Sequence, residues 1–456
     1  MGTAGKLAIL GGISLPIYCV SFRWDSLLPS PPWAPGWYQV EVFLLFIPYC
    51  LALRLIWRRA EPTPSALTVL LAFALLFRLP LLATEPRLST DLYRYLWDGR
   101  VQMAGINPYR YPPEDEALRF LRDDTVYQRI NRKEFPTIYP AGAQLIFGAA
   151  AAVGLTTPAR FKALLLLADC GAILLLLRLL DGYQLNRLRV LLYTWNPLVV
   201  YETAQAGHLE AIVVLCVVAA FLAAAKQRVN LAFMSLAFAT SVKLYPALLA
   251  AVFVRRRVGR CGLIFAAVLL CAYTPYLAGG AKILGFLPRY FSDPDEITNL
   301  GLPSLLFAVL SPVYAGWILR LGVVGVAGWI FFRSDSTWMK SEAAGNRGAS
   351  PNPPFPSLVG NAYLLVSVHT LLLYPALHPW YLLWLIALLC MLPSPGWLYF
   401  SCASALVYIT WPTPSWVLWL EYAPLYVLLG VEMMRRWRTS RDFPALLKTE
   451  RFGTSD

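Results

Sequence analysis

Ala163–Leu180, with the sequence ALLLLADCGAILLLLRLL, is nearly long and apolar enough to cross a bilayer as a helix. A spanning helix needs roughly 20 consecutive apolar residues, and Ala211–Ala225 and Cys261–Leu277 approach that length. Hydrophobic residues make up 58% of the 456 positions and charged residues only 14%, against roughly 45–50% and about 25% in soluble domains. The sequence therefore predicts a polytopic, all-α membrane protein in which residues 1–456 form one membrane domain with about 12–14 membrane helices.

The net charge of +13 does not indicate a nucleic-acid partner. Its basic residues stand in short clusters beside apolar runs, where retention of positive charge in the cytoplasm explains them. The eight cysteines are scattered through apolar segments without a CxxC pair, so they predict neither a zinc site nor a redox centre. Membrane lipids are the expected surroundings of this chain.

Clusters of arginine predict which side of the membrane each loop faces. Counted from them, Glu85–Pro136 is an extracytoplasmic loop and the polar segment Arg333–Pro356 is a cytoplasmic linker. The same count leaves no net crossing for Ala141–Gly154, which is predicted to be a re-entrant or interfacial helix. The clusters are Arg54, Arg58 and Arg59; Arg255, Arg256 and Arg257; and Arg435, Arg436 and Arg438.

A polar island, Ser89–Pro113 with the sequence STDLYRYLWDGRVQMAGINPYRYPP, lies in the extracytoplasmic loop. Asp91 and Asp98 are seven residues apart, which places them on one face of a helix, and Gly105–Pro108 predicts a turn that ends this helix. Carboxylates interleaved with arginine and aromatic residues suit a polar, anionic ligand. A solvated amphipathic helix would show the same charge density.

Lys243 is the clearest ionisable residue within an apolar region, at the start of Lys243-Leu-Tyr-Pro246, where proline breaks the helix. It predicts either a point charge that binds a lipid-linked phosphate or an internally paired lysine. Asp169 and Arg320 likewise predict either a function or a buried structural pair.

Glu202, His208 and Glu210 form a cluster at a turn interrupted by Gly207. Their spacing suits hydrogen bonds to sugar hydroxyls or structural pairing better than metal ligation, because the chain has only three histidines. His378 precedes a Pro-Trp-Tyr segment and suits either sugar or phosphate binding or an interfacial, capping role.

These motifs together resemble the GT-C superfamily of membrane glycosyltransferases, most closely the bacterial polyprenol-phosphate-mannose-dependent mannosyltransferases and more distantly the GPI mannosyltransferase I group. The resemblance covers Ser89–Tyr381. It is carried by Thr90-Asp91-Leu92-Tyr93, Asp98-Gly99, Gly105-Ile-Asn-Pro-Tyr109, Tyr139-Pro140, Asn196-Pro197, Gly207-His208, Lys243-Leu-Tyr-Pro246 and His378-Pro-Trp-Tyr381.

The resemblance implies an inverting transfer of a sugar, expected to be mannose, from a polyprenyl-phosphate donor to a hydroxyl of a lipid or glycan acceptor at the outer face of the plasma membrane. Asp91 is the expected catalytic base, and Asp98 is either the second candidate or a residue that orients acceptor and loop. Lys243, Arg94 and Arg100 are expected at the donor phosphate, and Glu202, His208 and His378 around the sugar. Tyr93, Tyr139, Tyr245 and Tyr381 complete the expected substrate-binding set.

The chain departs from this pattern at Tyr93, since related eukaryotic enzymes carry Asp-x-Asp where this sequence has Asp91-Leu-Tyr93. Loss of the second carboxylate favours a site without a metal cofactor, in which cationic side chains stabilise the leaving phosphate. A divalent metal ion is the alternative.

Two other functions would use the same charged groups. A flippase for a lipid-linked sugar would share the broken helices, although the sequence shows no inverted repeat. A non-catalytic membrane scaffold would carry an intramembrane lysine at a cost in stability and for no evident purpose.

Overall fold

The computed structural model describes residues 1–27, 37–57, 63–253, 258–291, 293, 296–307, 309–343, 355–373, 375–409 and 414–439. It is 78% helical, and the described residues contain no β-strand, which confirms the all-α prediction. An isolated bridge between Thr298 and Ala376 is the one β-type pairing found in them.

The α-helices follow one another along the chain with short connections, apart from the loop after α4. In order they are α1 Thr3–Leu27, α2 Trp37–Trp57, α3 Pro64–Leu82, α4 Asp91–Met103, α5 Ala141–Ala152, α6 Pro158–Gly182, α7 Leu191–Thr194, α8 Pro197–Val200, α9 Glu210–Ala225, α10 Val229–Val242, α11 Ala250–Phe253, α12 Val258–Tyr273, α13 Leu287–Tyr290, α14 Pro303–Phe307, α15 Pro312–Ala343, α16 Phe355–Leu371, α17 Leu383–Leu389, α18 Pro395–Ala403 and α19 Ser415–Thr439.

Tighter and wider turns connect several of these helices. A single π-helical segment, Tyr201–Gln205, follows α8. The 3-10 helices are Glu116–Leu121, Tyr127–Arg129, Arg187–Val190, Tyr245–Leu249, Thr274–Leu284, Pro379–Leu382 and Ser404–Tyr408.

Seven helical segments of the described chain are long and apolar enough to cross a membrane, and a bent pair makes an eighth if it is one span. Four further apolar helices have only 10–17 residues. The sequence predicted about 12–14 membrane helices, and the apolar runs beyond these seven or eight are too short or too broken in the described chain to be full crossings. The seven segments are Thr3–Ser21, Trp37–Trp57, Pro64–Leu82, Pro158–Gly182, Val258–Tyr290, Pro312–Phe332 and Ser415–Arg436.

The predicted interruptions appear where proline, glycine and short apolar length indicated them. α5 has 12 residues, or about 18 Å, too short for a bilayer core of about 30 Å. The helix pair Pro197–Gln205 and Glu210–Ala225 is bent by 119° at Gly207, whose φ of +75° favours glycine. α10 ends at Lys243, whose backbone is extended.

Part of the predicted topology concerns residues that the structure does not describe. Of the arginine clusters, Arg58, Arg59 and residues 255–257 are outside the described ranges, as is the side chain of Arg438. α15 continues through Ala343, into the segment predicted as a cytoplasmic linker, and residues 344–354 are outside the description as well.

A buried ion pair joins α3 to α6. Arg78 Nε donates to Asp169 Oδ2 at 2.7 Å, and both side chains are essentially inaccessible. Arg78 Nη1 also donates to the carbonyl of Thr194, and Tyr193 donates to the other Asp169 oxygen. The prediction that Asp169 belongs to a buried structural pair is therefore confirmed. Its partner, Arg78, was not evident from the sequence.

The extracytoplasmic loop of the prediction contains α4 and two of the 3-10 helices, as a helical loop should. It packs onto the chain after α12: the Phe135 and Phe286 rings stack at 4.2 Å, and Arg132 pairs with Glu296 at 2.7 Å. The end of the loop is consequently held against the chain after α12.

Gly142 sets the distance between α5 and α10. A Cβ atom at this position would lie 2.1 Å from Ser241 Oγ and 2.8 Å from the Ser241 carbonyl carbon. We expect Gly142→Ala to cost about 1–3 kcal/mol of stability, because the backbone of Ser241 would have to shift. Thermal unfolding in detergent measures this cost. Gly328→Ala is the control, since a Cβ at Gly328 meets nothing within 4 Å; equal losses in both variants would contradict the packing explanation.

Candidate active site

Asp91, the first residue of α4, lies at the edge of a polar cluster, with its side chain 18% exposed. Asn131 Nδ2, from the end of the same loop, donates to Asp91 Oδ1 at 3.0 Å. The other carboxylate oxygen is 4.0 Å from His208 Nδ1. Asp91 is thus held by the loop on one side, and it faces the bent membrane helix on the other.

Electrostatics keep Asp91 ionised. Burial by itself would raise the pKa of its carboxyl group, but the imidazole of His208, when protonated, and the ammonium of Lys243 lower it. Hydrogen bonds with Asn131 and Tyr139 act in the same direction, so the pKa of Asp91 lies below the ordinary aspartate value. An ionised carboxylate with an accessible face is what a general base requires.

His208 connects Asp91 to a second carboxylate. Its Nε2 atom is 3.2 Å from Glu202 Oε2, and both side chains are fully buried. Tyr408 donates its hydroxyl hydrogen to Glu202 Oε1 at 3.0 Å. Asp91, His208, Glu202 and Tyr408 are therefore successive polar neighbours, in which Tyr408 and Glu202 share a hydrogen bond and His208 lies within 4.0 Å of a carboxylate oxygen on each side.

Trp380 lies against two imidazole rings. The His208 ring stacks on it at 4.1 Å between centroids and the His378 ring at 4.4 Å. Burial lowers the pKa of His378 to about 4, so this imidazole is neutral near pH 7. His378 is therefore suited to hydrogen bonding rather than to charge pairing.

Lys243 is a second charged residue that acts on Asp91. Its ammonium is 3.3 Å from Glu210 Oε1 and 5.5 Å and 5.8 Å from the ring centroids of Tyr139 and Tyr381. The Lys243 side chain is 12% exposed, whereas Glu210 is completely buried. The sequence left a paired lysine and a phosphate-binding lysine as alternatives; the structure shows the pair and also an open face.

Tyr245 lies behind this ion pair. Its ring packs at 4.7 Å from Trp384 and 5.9 Å from Tyr381. The Glu210 carboxylate acts electrostatically on the Tyr245 hydroxyl, which makes no hydrogen bond within the described residues. Tyr245 is thus a supporting residue of the Lys243 pair.

Lys162, a fully buried residue of α6, holds the two halves of the site together. Its ammonium donates to the carbonyl oxygens of Leu81 at 2.7 Å and Thr84 at 2.6 Å, at the end of α3. It also donates to Gln205 O at 3.4 Å, in the π-helical segment. The start of the loop and the turn that carries His208 are therefore fixed by one cation.

Four predicted site residues of the island are engaged elsewhere. Asp98 accepts from Arg94 Nε at 2.9 Å and from Gln144 Nε2 at 2.8 Å, and it is buried. Arg94 also donates to the carbonyls of Arg132 and Phe135, so this pair ties α4 to the rest of the loop. At 1.5 Å per residue, Asp98 is about 10 Å from Asp91 along the helix.

Arg100 and Tyr93 also bind within the loop. Arg100 pairs with Asp123 at 2.8 Å. The Tyr93 hydroxyl donates to Glu85 and accepts from Arg129 Nη1 at 2.6 Å. The spacing of four residues between Arg94 and Asp98 favours an ion pair within the helix, and the structure places neither predicted arginine with the cluster around Asp91.

Several residues of the cluster were not singled out from sequence: Asn131, Trp380 and Tyr408. Asn131 lies 40 positions after its partner Asp91 and Tyr408 lies 206 positions after Glu202. No local pattern reveals such contacts. Among the described residues, no three His, Cys, Asp or Glu side chains are arranged to hold a metal ion.

Residues 33–259 match the family model described as alpha-(1->6)-mannopyranosyltransferase, N-terminal domain. No curated protein and no solved structure matches the chain. The matched range contains Asp91, Glu202, His208 and Lys243, and it ends before His378.

Proposed function

As a membrane mannosyltransferase of the alpha-(1->6)-mannopyranosyltransferase family, the chain uses a sugar donor and a glycan acceptor, and we propose that the donor is a polyprenyl-phosphate mannose. We further propose that the protein lies in the plasma membrane and acts at its outer face, where the polyprenyl tail stays in the bilayer. The observation that carries this proposal is the position of Asp91, ionised and partly exposed, within electrostatic range of Lys243.

Asp91 is the proposed general base. It takes the proton of the acceptor hydroxyl as that oxygen forms a bond to the anomeric carbon. The bond from this carbon to the phosphate oxygen breaks on the opposite face of the sugar, and the electron pair leaves with the lipid phosphate. This inverting displacement yields an alpha linkage, as in the family's name, from a donor whose sugar is beta-linked.

Lys243 is the proposed phosphate-binding residue. Its side chain is 12% exposed, and its charge acts on the carboxyl group of Asp91. Charge that develops on the leaving phosphate is stabilised by such a fixed cation. Glu202, His208 and His378 offer hydrogen-bonding atoms to the sugar, and Tyr139 and Tyr381 surround the Lys243 ammonium.

Release of free polyprenyl phosphate from a labelled donor tests this function. Proteoliposomes that contain the protein, the labelled polyprenyl-phosphate mannose and a mannoside acceptor should yield lipid phosphate and mannosylated product in equal amounts. A flippase would move the donor across the bilayer without cleaving it. Intact donor after incubation with a folded protein and a range of mannoside acceptors would contradict the proposal.

We expect the transfer to proceed without a divalent metal ion. Tyr93 takes the place of a second carboxylate, and its hydroxyl is bonded to Glu85 and Arg129 rather than directed at Asp91. Lys243 supplies a cation in its place. Activity should therefore persist in excess EDTA, and restoration of a lost activity by Mg²⁺ or Mn²⁺ would contradict this expectation.

The pH dependence should report the carboxyl group of Asp91. Because its pKa lies below the ordinary value, protonation stops the reaction only under acid conditions, below about pH 4. Asn131→Ala removes one hydrogen bond that favours the ionised form, so the acid limb of kcat/KM should move to higher pH. The control is Asn107→Ala, since Asn107 bonds Tyr276 in the same region and not Asp91. If the acid limb of kcat/KM lies at the same pH in wild type and Asn131→Ala, it does not report the protonation of Asp91.

A further inference from the structure

Glu210 is a fully buried carboxylate that the proposed reaction does not use. It begins α9, directly after the bend at Gly207. Its ion-pair partner is Lys243, whose ammonium lies 3.3 Å from Oε1. The cation proposed to bind the donor phosphate is therefore already paired with an anion of the protein.

This arrangement makes Lys243 a shared partner. The Lys243 side chain is 12% exposed, whereas Glu210 is fully buried, so a phosphate that reaches the ammonium would come from the accessible side and leave Glu210 in place. A bound phosphate and the Glu210 carboxylate would then lie on two sides of one positive charge and repel each other. In surroundings shielded from water, such repulsion is stronger than at a protein surface.

The repulsion differs between donor and product. The donor is a phosphodiester with one negative charge, whereas the lipid phosphate released by transfer is a monoester whose second pKa is near 6. Near pH 7 the product therefore carries close to two negative charges. A fixed anion behind Lys243 weakens the binding of the product more than that of the donor.

We propose that Glu210 tunes Lys243 so that it binds the polyprenyl-phosphate sugar but releases the polyprenyl phosphate product. Glu210 is in this sense a positioning residue, because it acts through Lys243 and not on the substrate. The inference rests on the proposed function, since it takes Lys243 as the phosphate site. It assigns a role in turnover and in the discrimination between two lipid phosphates.

The Glu210→Gln variant tests the inference, since it removes the charge and keeps the shape. Inhibition by added polyprenyl phosphate should become stronger, on the order of tenfold. The KM for the donor should fall by a smaller factor, and kcat should fall because product release slows. A purely structural role would weaken the binding of both lipids.

The matched control is Glu432→Gln, which makes the same chemical change at a carboxylate of α19. Glu432 interacts with Tyr363, Ser394 and Arg436, and not with the cluster around Lys243. This variant should show the donor KM and the product inhibition of the wild type. A tenfold change in it as well would remove the evidence for a specific effect.

Lys243→Met and the double variant Lys243→Met/Glu210→Gln separate the two proposals. The single change leaves a buried carboxylate without its cation and can impair folding, whereas the double variant carries neither charge. If the folded double variant binds donor and product as tightly as wild type, Lys243 is not the phosphate site. That part of the proposed function, the assignment of Lys243 to the donor phosphate, is then wrong. If the double variant loses phosphate binding while Glu210→Gln shows unchanged or weaker product inhibition, the role of Glu210 alone is overturned.

Discussion

Asp91→Asn should lower the rate of mannosyl transfer by about 10²–10⁴-fold, the usual contribution of a general base. The amide keeps the size of the side chain but cannot accept the proton of the acceptor hydroxyl. Binding of the donor should change little, because the proposed phosphate contact is made by Lys243. Steady-state transfer and equilibrium binding of the lipid donor, measured on the same purified variant, check both statements.

Asp98→Asn is the informative comparison, because Asp98 is the second carboxylate of the island. It is buried and bonded to Arg94 and Gln144, so its replacement should loosen the loop and lower the unfolding temperature. Asp91→Asn should leave that temperature close to wild type. A stable, inactive Asp98→Asn together with an active Asp91→Asn would transfer the role of base to Asp98.

Arg78→Met should destabilise the protein by about 3–5 kcal/mol, because it leaves the Asp169 carboxylate buried without its cation. The expected measurement is a large drop in the thermal unfolding temperature in detergent. Further replacement of Asp169 by Leu removes the stranded charge, so the double variant should recover much of the loss. This recovery distinguishes an uncompensated charge from a simple packing defect.

The comparison variant is Arg187→Met, which breaks an ion pair with Asp181. In that pair the side chains are 47% and 44% exposed and the shortest distance is 3.2 Å. Exposed pairs contribute about 0–1 kcal/mol, so its unfolding temperature should remain near wild type. Equal destabilisation by Arg78→Met and Arg187→Met would contradict the expectation that loss of the buried pair costs more stability than loss of the exposed pair.

Local sequence signals predicted much of the backbone around the site. Proline after Lys243, glycine before His208 and the short apolar run of α5 each change the helix within a few residues, and the structure shows the break, the bend and the short helix. The placement of Asp91 and Asp98 on one helix was predicted from their spacing in the same way. These features depend on neighbouring residues, which a single sequence displays directly.

Side-chain partners were harder to predict, because they depend on distant segments. The sequence could not show that Glu210 faces Lys243 or that Asn131 reaches Asp91. It also suggested that Arg94 and Arg100 are available to a ligand, whereas the loop uses them to bind Asp98 and Asp123. Charge density in a loop therefore does not distinguish residues that hold the loop from residues that bind substrate.

The pair between α3 and α6 also constrains how the chain enters the bilayer. Arg78 precedes Asp169 by 91 residues, so it leaves the ribosome well before its partner. An unpaired arginine costs about 2.5–3.5 kcal/mol at the centre of an inserting helix and less near the ends. The cost of placing Arg78 in the bilayer is therefore removed only when α6 has been synthesised, so we expect α3 to be less stably inserted until the later helix arrives.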